Sequence, residues 1–152
     1  MSHNDRTWIV IADAARAKIF VQEKNGAPLV ALDKGEFYNR DSSHHTRDLG
    51  SDRPARSQES VGSARHAIEP KHDPRRLAAA EFAEDVADYL EQSAVSKRYD
   101  RLVIVAPPHM LSDLRKALGN HAEPLVVAEI NKDLTKIPLH ELPSHLGTAV
   151  RL

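Results

Sequence analysis

The chain has 152 residues, enough for one domain with a sizeable core. A formal net charge of -1 gives it no global pull toward nucleic acid or an anionic membrane. The absence of cysteine excludes disulfides, thiol catalysis and thiolate zinc sites.

Ser2 to Arg6 are polar, and the apolar run after them is too brief for a signal peptide or a membrane span. A cytoplasmic protein with no membrane contact is therefore expected. Trp8-Ile9-Val10-Ile11-Ala12 is apolar at successive positions, which predicts a central strand covered on both faces. Asp13-Ala14 turns the chain. Ala15, Ala17, Ile19 and Val21 then alternate with Arg16, Lys18 and Gln22, the pattern of a second strand with one wetter face. Asn25-Gly26 is a strong hairpin signal, because both residues tolerate positive φ. Leu29 to Phe37 supplies a third strand, so the chain opens with an antiparallel meander.

From about 39 to 73 no strand or helix pattern is found. The run is rich in Arg, His and Ser, and a structureless stretch of this length inside a domain is functional or disordered. Between Asn39 and Arg76 eight Lys/Arg stand against six Asp/Glu, a balance of +2 that leaves -3 for the remainder. His44, His45, His66 and His72 also lie there, so mild acid makes the stretch more basic.

Asp73-Pro74 is a helix start, with Asp able to accept from the first free N–H groups and Pro suited to the first turn. Ala79, Phe82, Ala83, Val86 and Leu90 form an apolar stripe, predicting a helix from about Pro74 to Ser93. Its Glu81, Glu84, Asp85, Asp88 and Glu91 lie mostly off the stripe; this acidic face meets solvent or docks the basic loop. Leu102 to Ala106 is a strand apolar on both faces, stopped by Pro107-Pro108. Met110, Leu111, Leu114 and Leu118 mark a helix, with Gly119 as its expected left-handed cap. Leu125 to Ile130 is a fifth strand, also read as apolar on both faces. The tail carries Leu139, Leu142 and Leu146, a helical stripe interrupted by Pro143.

The order is β-β-β-loop-α-β-α-β-α over residues 1–152, read as one domain. Strands 4 and 5 follow helices and should run parallel to a neighbour through right-handed crossovers. The expected fold class is α/β, a mixed five-stranded sheet with strand 1 in the middle and helices on both faces. This is the element order of ribonuclease H-like folds.

A nuclease of that kind needs several carboxylates around magnesium. Asp13 ends strand 1, and Glu81 or Asp85 is available on the first helix. Strand 4 ends Val105-Ala106-Pro107 and offers none. Asp beside a tight turn is more often a turn former than a ligand. Adjacent His44 and His45 point apart in an extended chain, and His66 and His72 lack a helical ligand spacing. No catalytic set, metal site or cofactor is expected.

The arginines are the better candidates. Arg53, Arg56 and Arg65, spaced by Ser and Gly, suit a phosphate backbone or an acidic protein surface. Arg47 and His66 belong with them, and Arg16 lies beside Asp13. Without an aromatic residue between Arg40 and Arg76, backbone or shape contacts are favoured over base stacking.

Several phrases together resemble a bacterial family of proteins required for attachment to host cells. They are Trp8-Ile9-Val10-Ile11-Ala12-Asp13 with Arg16-Ala17-Lys18-Ile19-Phe20, Ser51-Asp52-Arg53-Pro54-Ala55-Arg56-Ser57, and Arg65-His66-Ala67-Ile68-Glu69-Pro70. Leu102 to Pro108, Leu114 to Leu118 and Glu129 to Thr135 complete the set. Members often have Gly where this chain has Ala14 and Ala55. The family is in turn similar to the central domain of archaeal and eukaryotic peptide-chain release factors, which is ribonuclease H-like. There a long loop in the same slot carries Gly-Gly-Gln into the ribosome. Here the slot holds Arg56-Ser57-Gln58, and Arg-Ser lacks the backbone freedom of Gly-Gly. The loop's composition and its position in that fold point to a non-enzymatic module that contacts structured RNA, on the ribosome, through Arg53, Arg56, Arg65 and His66. The alternatives are a protein–protein adaptor with a regulatory partner and, further down, a metal-dependent nuclease built on Asp13, Glu81 and the loop histidines, or a peptidyl-tRNA hydrolase using Gln58.

Overall fold

A computed structural model describes residues 6–40 and 73–147. The elements are β1 (Thr7–Ala12), β2 (Arg16–Gln22), β3 (Leu29–Tyr38), α1 (Pro74–Val95), β4 (Arg101–Val105), α2 (Pro108–Ala117), β5 (Val126–Ile130) and α3 (Leu142–Leu146). Short 3-10 turns at Glu123–Leu125 and Leu139–Glu141 precede β5 and α3.

The strands form one mixed sheet in the order β3-β2-β1-β4-β5. β1 pairs antiparallel with β2 and parallel with β4, while β5 runs parallel to β4. The meander follows from its turns. Gly26, at φ +88°, reverses the chain between Gln22 and Leu29, which pair across β2 and β3. Gln22 Nε2 donates to Ala27 O at 3.0 Å and ties the turn down.

Alternation along β1 and β4 sends side chains to two separate cores. Trp8, Val10, Leu102 and Ile104 meet α1 and α2 on one face, around Phe82, Val86, Leu90, Met110 and Leu114. Ile9, Ile11, Val103 and Val105 meet Leu134, Leu142 and Leu146 on the other. An unbroken apolar run is the expected price of a strand covered on both sides. The fold is thus mixed α/β with β1 central, as its residues predicted.

Four expectations are corrected. β5 is an edge strand, half-buried at alternate positions, with Val127 55% exposed. Val127 and Glu129 share the exposed side, and Glu129 is the polar position that a strand covered on both faces would lack. Gly119 does not cap α2 in a left-handed conformation, since only Gly26 and Gly147 have positive φ among the described glycines. Leu118 ends α2 in an extended conformation. α1 runs two residues past Ser93 to Val95. Lys97, at φ +59°, is its left-handed residue. Its N–H donates to Ala94 O and that of Arg98 to Ser93 O, the Schellman pattern normally built on Gly. Pro143 does not interrupt the last helix; it sits in the first turn of α3, where its missing N–H costs nothing.

Candidate functional site at the carboxyl rim of the sheet

β1, β4 and β5 are mutually parallel, so their carboxyl ends share one rim. In open α/β sheets ligands bind outside that rim, where strands give way to loops. Here the rim carries the β1–β2 turn and the start of α2. Contacts described below bring the end of β3, the start of α1 and the segment after β5 to the same place.

Asp13 organises the turn. Its Oδ1 accepts from Ala15 N at 2.8 Å and Arg16 N at 2.9 Å, and its own N–H donates to Arg16 O at 2.9 Å. This is the Asx turn that a short carboxylate forms readily. Oδ2 faces the segment after β5, 3.1 Å from Thr135 Oγ1. The same hydroxyl lies 2.6 Å from Asp133 Oδ1, which also accepts Thr135 N–H at 3.1 Å. A threonine hydroxyl has one proton, so it donates to one carboxylate at a time. Thr135 is 5% exposed, and the contact fastens the chain after β5 to the end of β1.

Asn39 fixes the point where the Arg/His-rich stretch leaves the sheet. Its N–H donates to Ala15 O and its Nδ2 to Ala14 O, both at 2.9 Å. Nδ2 also reaches Ala78 O of α1 at 3.5 Å. The stretch returns at Asp73, whose Oδ1 accepts Arg75 N at 3.0 Å and caps α1. One turn further, Arg76 grips Asp113 of α2 through two parallel bonds, Nη1 to Oδ2 at 2.6 Å and Nη2 to Oδ1 at 2.9 Å. The hydrogen bond to Asp113 raises the Arg76 pKa further above its ordinary value, against the pull of burial. Both ends of the stretch are therefore anchored, one to the β1–β2 turn and α1, the other to α1 and α2.

Beside the exit, Tyr38, Asn39 and Arg40 face Ala78, Glu81, Phe82 and Asp85 across a polar cleft of about 320 Å³. Tyr38 is 61% exposed and donates its hydroxyl to Glu36 Oε1 at 3.0 Å, which raises the phenol pKa.

Of the residues proposed from sequence, Asp13 and Arg16 lie together on the rim. Arg47, Arg53, Arg56, Gln58, Arg65 and His66 lie outside the described residues. Glu81 and Asp85 line the polar cleft, whereas Asp13 is held by the turn and Thr135. Among the described residues no three His, Cys, Asp or Glu converge as metal ligands. Asn39, Asp133 and Thr135 were not singled out as site residues. The spacing Asp133-Leu134-Thr135 is itself an Asx-turn signal that points to a local hydrogen bond. Nothing in sequence shows its pairing with Asp13, 122 positions away.

The sheet order, the two helices packed on one face and the anchored rim define a class of protein. It is a mixed α/β fold in which a long polar segment leaves and re-enters at the carboxyl edge of the sheet. A family model described as "Protein required for attachment to host cells" matches residues 8–146, and the chain belongs to that family. No curated protein matches it. Among solved structures, one described as an archaeal protein has 14% identity and a TM-score of 0.51, over 97% of this chain and 34% of its own. An archaeal translation termination factor has 14% identity and a TM-score of 0.41, over 86% of this chain and 31% of its own. The chain thus spans about a third of the length of the solved structures it matches. At 14% identity the first likeness is one of fold alone. Among the described residues no helix is long and apolar enough to cross a membrane.

Proposed function

We propose that this chain is a non-enzymatic binding module that contacts structured RNA, in the first place on the ribosome, through the segment between Arg40 and Asp73. Arg47, Arg53, Arg56, Arg65 and His66 are the contact residues. The observation that carries this reading is the anchoring of both ends of that Arg/His-rich segment at the carboxyl rim, by Asn39 on one side and by Asp73 and Arg76 on the other. A charged segment held at both ends is presented by a rigid scaffold, the usual arrangement for loops that bind. The 3-2-1-4-5 sheet supports assigning the fold to the ribonuclease H-like kind, with Asp13 as a turn former in place of a metal ligand.

The test is sedimentation of the full chain with ribosomes at low and high salt, with and without ribonuclease. Binding should weaken with salt at a log–log slope of roughly -0.7 to -0.9 per phosphate contact. Arg53→Ala with Arg56→Ala should abolish cosedimentation. Protein that stays in the soluble fraction under every condition removes the RNA reading. A stoichiometric protein partner found without RNA would favour an adaptor instead.

A further inference from the structure

On the sheet face opposite α1 and α2, the chain after β5 arches over β1, β2 and β3 and leaves a cavity of about 240 Å³. Ile11 and Phe20 form its floor, with Leu134, Ile137 and Leu139 on the arching side. The volume is below the roughly 300 to 1,000 Å³ of drug-sized sites, so it suits a small metabolite. Leu139, at its mouth, is 40% exposed.

Two opposite charges also line this cavity. Lys18 of β2 and Glu36 of β3 are direct cross-strand partners and both border it. Opposite charges in that position ordinarily pair. They do not pair here. Glu36 accepts the hydroxyl of Tyr38 instead. Lys18 is half-buried, and among the described residues its side-chain ammonium has no hydrogen-bond or ion-pair partner. The register is irregular between Lys18 and Phe20, and β3 carries Lys34 at φ +60° within that irregularity.

An apolar floor beside an ammonium and a carboxylate that do not pair with each other is complementary to a molecule with an apolar body and a zwitterionic head. A simple fatty acid would meet Glu36 with like charge, and a simple amine would meet Lys18 with like charge. We propose that this cavity binds a free apolar α-amino acid, its side chain against Ile11 and Phe20, its carboxylate on Lys18 and its ammonium on Glu36. Each head group then replaces water with a charge-assisted bond, while the side chain leaves water. The site lies on the face away from α1 and is independent of the RNA-binding segment's chemistry.

The probe is L-leucine, titrated into the full chain labelled at Ile and Leu methyls and followed by NMR. Saturable shifts are expected at Ile11, Leu134, Ile137 and Leu139, and none at Leu90 or Leu114, which face the other core. On the wild-type chain, 4-methylpentanoate and 3-methylbutylamine, each lacking one charge, should bind at least tenfold more weakly. Lys18→Met and Glu36→Gln should each weaken leucine at least fivefold. Shifts that do not saturate, or that spread over both faces, overturn the proposal. Equal binding of leucine and either single-charge analogue also overturns it, whatever the variants do.

Discussion

Gly119 makes room for the Glu91 carboxylate: a Cβ at position 119 would lie 2.5 Å from Cδ and 2.7 Å from Oε1 of Glu91. From that place Glu91 accepts from Ala122 N–H at 2.9 Å and His121 N–H at 3.1 Å, and meets His121 Nδ1 at 2.7 Å. The glycine is required by close approach, with no demand on φ. Gly119→Ala should therefore displace Glu91 and lower stability by about 1 kcal/mol net. The loss of about 1.5–3 kcal/mol for bonds to a charged group is partly offset by a less flexible unfolded chain. Urea midpoints measure it, and an unchanged midpoint would contradict the contact.

The same carboxylate sets an acid limb. Burial raises the Glu91 pKa, but the Ala122 and His121 bonds outweigh it, and the net direction is downward from 4.5. A lowered folded pKa stabilises at pH values above that of the unfolded chain. This contribution is complete above about pH 5 and is lost as pH falls below 4.5 through the folded pKa. Glu91→Gln should be less stable at pH 7 and should lose less on acidification from pH 5 to 3. Parallel denaturation curves for the two proteins over that range would overturn the assignment.

Asp13 should behave as a structural residue. Asp13→Ala removes the acceptor for Ala15 and Arg16 N–H and the contact with Thr135 Oγ1, costing about 2 kcal/mol. Asp13→Asn keeps an oxygen for the turn and should cost less than half as much. Chemical denaturation of the pair decides this; equal losses would mean that the charge of Asp13, and not its turn geometry, matters.

Arg76 and Asp113 should couple. Their side chains are 33% and 10% exposed, and the two bonds are parallel, so a double-mutant cycle to Ala should give about 1–2 kcal/mol. Arg76→Lys should recover less than half, because an ammonium cannot make both bonds in that geometry. A coupling near zero would place the pair with ordinary surface ion pairs.

Lys97 ends α1 in a strained backbone conformation. A non-glycine residue in the left-handed region costs about 1–2 kcal/mol, and glycine there does not. Lys97→Gly should raise stability by about 1 kcal/mol, read as a higher urea midpoint at unchanged slope. Destabilisation would show that the lysine side chain makes a compensating contact.

Much of the architecture was legible from residue order. The unbroken apolar runs Trp8–Ala12 and Leu102–Ala106 marked strands covered on two sides, and their alternation splits the core as found. Asn25-Gly26 marked the hairpin, and Asp73-Pro74 marked the start of α1. Local chemistry was decisive in each case: a turn that admits positive φ, a carboxylate that caps, a proline that fits only a first turn. The Val126–Ile130 run carries Glu129, which breaks the apolar pattern of a covered strand, and its place at the sheet edge exposes Val127 on the same side.

What the sequence by itself determined is the set of elements, their order and the central place of β1, because periodicity and turn chemistry act over a few residues. The tertiary structure alone decided which distant groups meet. Thr135 reaches Asp13, Arg76 grips Asp113, Glu91 fills the space over Gly119, and Lys18 stands opposite Glu36 without pairing. Such contacts depend on sheet order and on the path of the chain after β5, and no local pattern records them. The physical reason is range: propensity acts between neighbours, while packing and electrostatics act between whatever the fold brings together.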